Sequence, residues 1–144
     1  MLKGINWIAV IVAVVALELV GYLWYGMLFA KPCTDAMTAA GHTPDASNTS
    51  ILMSIGVVNT LVIVLGLSWL TRRLGATSLA ASVSLALAAW FFFDLTTQSL
   101  EYLYMAMPVT VMEINIGYQL VSYLLAGAIL ALVRVGAPQS AAAA

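Results

Sequence analysis

The sequence predicts an all-α fold: an integral membrane bundle of four antiparallel transmembrane helices with both termini cytoplasmic. Three observations carry that expectation. The 144 residues are 63% hydrophobic and 8% charged, with a mean hydropathy of +1.03. A water-facing domain carries about 45–50% apolar and about 25% charged residues. Four apolar segments stand apart, each near the ~20 residues that a helix needs to cross a bilayer. The basic residues collect on one side of those segments if the segments alternate in direction. One domain over residues 1–136 follows, with a small, featureless tail at 137–144 expected to be disordered. The net charge of −1 excludes a polybasic nucleic-acid binder.

The first span covers about residues 5–29. Its apolar run exceeds the ~7–15 residues of a signal-peptide core, and Leu28-Phe29-Ala30 is a poor small-x-small cleavage site, so the segment is expected to remain as an anchor. Asn6 is suited to cap the helix start. Trp7 at one end and Trp24-Tyr25 at the other fit two aromatic belts. Residues 31–50, rich in Pro, Asp, Thr, Ser and Asn, read as a polar outer loop. The second span covers about 51–70 and is closed by Thr71-Arg72-Arg73-Leu74-Gly75, with Gly75 as the stop. The third covers about 78–105. From Ser78 to Met107 is 30 residues, or about 45 Å of helix against a hydrocarbon core of about 30 Å. Its last turns, with Glu101, Tyr102 and Tyr104, are therefore expected to tilt or rise into the outer headgroups; a re-entrant stretch at 105–110 is the alternative. Pro108 separates it from the fourth span, about 112–133.

Four alternating spans put Lys3, Arg72, Arg73 and Arg134 on one side. Lys31 lies on the other, with Asp35, Asp45, Glu101 and Glu113. The positive-inside rule then places both termini in the cytoplasm.

Polar residues inside lipid are costly and point to function or to helix contacts. Glu18 lies six residues inside Trp24, about 9 Å down at 1.5 Å per residue. Asn59 lies about 12 Å in from Ile51, Asp94 about 10 Å below Glu101, and Gln119 about 9 Å past Glu113. Each span thus offers a carboxyl or amide to one layer in the outer half of the membrane. Glu18, Tyr22 and Tyr25 share a helix face by spacing, as do Asp94, Gln98 and Glu101, and Asn115, Gln119 and Ser122. Together they outline a polar notch that opens outward. No lysine or arginine shares that depth. Glu18 and Asp94 are therefore expected to be neutral hydrogen-bond donors, or to share a proton, metal ion or cationic ligand. The competing reading makes these side chains interhelical hydrogen-bond glue. The tyrosines, Tyr102 and Tyr104 included, then serve as belt residues.

Cys33 is the single cysteine, which excludes an internal disulfide. His42, with Asp35 and Asp45 nearby, has the right ligand types for a metal but no tight spacing, so no metal site and no cofactor are assigned. Small residues at every fourth position, Ala76-Ala80-Ser84-Ala88, Ala9-Ala13 and Gly127-Ala131, allow close helix approach within one bundle or between protomers, which makes a homo-oligomer reasonable.

The first span also resembles a known family. Ile5-Asn6-Trp7, a run of small apolar residues, and then Gly21-Tyr22-Leu23-Trp24-Tyr25-Gly26-Met27-Leu28-Phe29-Ala30-Lys31 are similar to the opening of a bacterial membrane family known only as domain of unknown function 1761. Gly117-Tyr118-Gln119-Leu120-Val121 and Ala126-Gly127-Ala128-Ile129-Leu130 resemble its last span. The family's Trp shortly after the Lys is replaced here by Pro32-Cys33-Thr34-Asp35. The resemblance implies a four-helix protein of the bacterial inner membrane with no assigned activity.

Three functions fit these residues. The first is a transporter-like or accessory protein that binds a small ligand, proton or cation through Glu18, Tyr22, Asn59, Asp94, Gln98 and Gln119. The second is a structural subunit whose partners are membrane lipid and further copies of itself. The third is an acid–base enzyme on an apolar substrate (an isomerase, cyclase or epoxide hydrolase type), with Glu18 and Asp94 as catalytic candidates.

Overall fold

The computed structural model describes residues 4–42 and 48–133, and all regular structure among them is helical. Helix α1, Trp7–Leu23, continues through a π-helical segment, Trp24–Leu28. Helix α2 is Ala30–Ala39 and α3 is Thr49–Arg73. Helix α4, Leu79–Ala89, runs through a second π-helical segment, Trp90–Leu95, into α5, Thr96–Tyr104; α6 is Val109–Leu132. Trp7–Leu28, Thr49–Arg73, Leu79–Tyr104 and Val109–Leu132 are each long and apolar enough to cross a membrane, as expected of a membrane protein. The tail at 137–144 lies outside the described residues, as do Lys3, Asp45 and Arg134.

Local chemistry sets the helix ends. The Asn6 side chain accepts from the Ala9 N–H at 3.1 Å and so caps α1. Its amide also donates to the Val133 carbonyl at 2.7 Å, which ties the start of α1 to the end of α6. Ser78 caps α4 by accepting from the Ala81 N–H at 3.1 Å. Helix α3 closes as a Schellman motif: the Ala76 N–H returns to the Thr71 carbonyl at 2.8 Å and Gly75, at φ +66°, takes the left-handed position that favours glycine. Helix α5 ends the same way, with the Met107 N–H on the Tyr102 carbonyl at 3.1 Å. There the left-handed residue is Ala106, at φ +50°. The stretch weighed as re-entrant is thus a tight turn, with Pro108 just ahead of α6.

Of residues 31–50, expected as a polar loop, those up to Ala39 lie in α2. Pro32 lies in its first turn, where a missing N–H costs no helical hydrogen bond. Lys31 pairs with Asp35 one turn on, at 2.5 Å. Contact with α6 fixes the helix in place.

Helix α6 is the centre of the bundle and touches α1, α2, α3, α4 and α5. Val10, Ala13 and Leu17 of α1 form the core with Val64 and Leu67 of α3, Ala86 of α4 and Ala126 of α6. In lipid, packing rather than the hydrophobic effect joins helices, so small residues matter. Ala9, Ala13, Gly127 and Ala131 are buried as their spacing predicts. The stripe on α4 is displaced. Ala80 and Ser84 are exposed, whereas Ser82 and Ala86 are buried against Gly127. Ser82 occupies the contact because its hydroxyl reaches the Gly127 carbonyl, at 2.7 Å.

Helix α3 packs by one half. Its buried residues are Val64, Leu67, Ser68 and Thr71, while residues 51–59 are all exposed. That leaves a cleft beside α1.

Candidate functional site

The cleft and the interior next to it form two chambers. The first, about 570 Å³, lies between α1, α3 and α6; the second, about 750 Å³, lies between α5, its preceding π segment and α6. Both fall within the ~300–1,000 Å³ of small-molecule sites. Tyr25, Asn59, Tyr118 and Gln119 line both chambers, so the two adjoin.

Of the six residues expected to bind a ligand, Glu18, Tyr22, Asn59 and Gln119 line the first chamber. Asp94, Gln98, Asn59 and Gln119 line the second. Glu18 and Asp94 therefore face different chambers, joined through the shared wall. Both π-helical segments contribute here, the first through Tyr25 and the second through Asp94. A π turn adds a residue to the helical repeat and recurs at functional sites, because it re-aims the side chains beyond it.

The polar groups divide into two sets. One set is bonded. The Tyr25 hydroxyl donates to Asn115 Oδ1 at 2.7 Å, Asn115 Nδ2 donates to the Tyr102 hydroxyl, and Gln98 Nε2 donates to Asp94 Oδ2 at 2.8 Å. Asn115 thereby joins α1, α5 and α6, which is the glue role. The other set is open: among the described residues the side chains of Glu18, Asn59 and Gln119 make no hydrogen bond. Such unmet capacity inside an apolar span is costly unless a ligand or water meets it.

Tyr118 escaped the sequence reading as a site residue. It stands between the chambers, with its ring 5.0 Å from Tyr25 and its hydroxyl 3.1 Å from where a Cβ on Gly21 would lie. Gly21, which leaves room for a side chain from another span, was the available signal, but only the packing shows that Tyr118 fills that room. Trp24 also differs from a lipid-facing belt residue. Its indole donates to the Ile114 carbonyl at 3.1 Å and its ring lies against Gly117. Neither His42 nor Cys33 lines a chamber, and no group of three or more His, Cys, Asp or Glu suited to a metal occurs among the described residues.

A family model described as "Protein of unknown function (DUF1761)" matches residues 8–131. The match includes the Gly21–Lys31 motif and the Gly117-Tyr118 segment that carry the resemblance. No curated protein and no solved structure matches the chain.

Proposed function

The chain belongs to the DUF1761 family, and from that premise we propose that it is a ligand-binding protein of the bacterial inner membrane, a transporter-like or accessory component. Its site is the polar notch in the outer leaflet, which takes a small ligand, proton or cation. The observation that carries the reading is the open set: the side chains of Glu18, Asn59 and Gln119, from three spans, face one cavity with no hydrogen bond among the described residues. Side chains serving only as glue are bonded, as Asn115 is.

The proposed topology is a single domain of four antiparallel spans with both termini cytoplasmic. Contacts between α1 and α6 support the direction: Asn6 meets Val133, Leu17 meets Tyr118 and Trp24 meets Ile114, so partners descend as α1 ascends. Arg72 and Arg73, in the last turn of α3, support the cytoplasmic assignment for that end.

Native mass spectrometry of gently extracted protein, beside Glu18→Gln, tests the site. Extra mass on the wild-type protein that vanishes in the variant is the expected result; a ligand-free protein in both cases would sink it. A second reading, a homo-oligomeric structural subunit, is favoured by the exposure of Ala80 and Ser84, which leaves that stripe available to another copy. Ala80→Leu with unchanged oligomer mass would argue against it.

A further inference from the structure

We infer that the ligand of this cavity is a lipophilic organic cation, an ammonium or phosphonium group carried on an apolar body, which enters sideways from the lipid between α1 and α3. The inference rests on the reading that the notch binds a ligand, and it assigns the ligand's chemistry and route.

The charge comes from the walls. Among the described residues, the charged ones lining the two chambers are Glu18, Asp94 and Glu101, all acidic, and no Lys, Arg or His lines either one. An anion there would meet like charge in a medium of low dielectric, whereas a cation would meet its complement. Five tyrosines add to this selectivity. Tyr22, Tyr25, Tyr118 and Tyr123 line the first chamber, and Tyr102 joins Tyr25 and Tyr118 in the second. An aromatic face attracts a cation, most strongly a weakly hydrated one such as a quaternary group. A small hydrated metal ion fits less well, since no cluster of three metal-ligating side chains occurs among the described residues.

The apolar body follows from the entrance. Met53, Gly56 and Val57 line the first chamber and are themselves exposed, as are all residues from 51 to 59. They belong to a span long and apolar enough to cross a membrane, so the mouth opens at the depth of acyl chains. A ligand reaching Glu18 by this route passes through hydrocarbon, which a compact hydrophilic cation does not enter.

The test uses the full chain in lipid nanodiscs and three probes of similar shape: tetraphenylphosphonium, neutral triphenylphosphine oxide and tetraphenylborate. Binding is read by tryptophan fluorescence, with Trp24 beside the shared wall as reporter. Saturable binding of the phosphonium alone is expected, weakened about tenfold or more by Glu18→Gln and unchanged by Asp35→Asn outside the cavity. If the neutral or anionic probe binds as tightly as the cation, the charge assignment is overturned while the ligand-binding reading survives. If no probe binds the folded wild-type protein, the lipophilic-cation assignment is overturned, while the native mass spectrum decides the ligand-binding reading. The comparison of probes on the wild-type chain decides the matter even where a variant fails to fold.

Discussion

The hydroxyl of Ser82 donates a 2.7 Å hydrogen bond to the carbonyl of Gly127, where α4 packs on α6. A Cβ on Gly127 would lie 2.8 Å from the Ala86 Cβ and 3.0 Å from the Ser82 carbonyl oxygen, so neither helix could keep its place. Gly127→Ala is expected to destabilise the protein by about 1–3 kcal/mol, the usual cost of overpacking. Thermal unfolding in detergent measures it. Gly66→Ala serves as the control, because nothing lies within 4 Å of a Cβ there. Equal melting temperatures for the two variants would count against this contact.

Ala106 occupies the left-handed position of a helix end, where α3 uses Gly75. A residue with a Cβ loses about 1–2 kcal/mol in that conformation, and glycine avoids the clash. Part of the gain is offset by the extra freedom of glycine in the unfolded chain. Ala106→Gly is expected to raise stability by up to about 1 kcal/mol, read from the same melting curves. A lower melting temperature would contradict the strain argument.

Asn115 bonds Tyr25 on one side and Tyr102 on the other. Hydrogen bonds between helices in membranes contribute about 0.6–2 kcal/mol each. Asn115→Ala is expected to lose roughly that amount for each of its two bonds. A double-mutant cycle of Asn115→Ala with Tyr25→Phe should show coupling of about 0.6 kcal/mol or more. Simple additivity would mean that the two side chains do not interact.

Gly21 admits the Tyr118 hydroxyl to within 3.1 Å of its missing Cβ. The end of a tyrosine can swing, so Gly21→Val should leave the melting temperature nearly unchanged. The displaced ring has to move within the wall that both chambers share, which reduces their room. Phosphonium binding should therefore fall while the fold persists. Full binding in this variant would separate Tyr118 from the site.

The order of residues is enough to locate the segments that are helical and apolar enough to cross a membrane, because a span in lipid has to satisfy its backbone hydrogen bonds internally. Asn6, Gly75 and Pro108 punctuate helices as their local chemistry requires. The polar residues of the notch were also legible, since a carboxyl or amide stands out against an apolar span. Which face of each helix turns inward was not legible. In a span that is apolar all round, the inner and outer faces have the same composition, so periodicity carries little direction. Tertiary packing decided it: Ser82 rather than Ser84 meets Gly127, and Trp24 turns to the Ile114 carbonyl rather than to lipid. Packing also decided that residues 51–59 stand clear of the bundle. That separation makes a row of polar residues into an open cavity, because contact between helices depends on how surfaces from distant parts of the chain fit together.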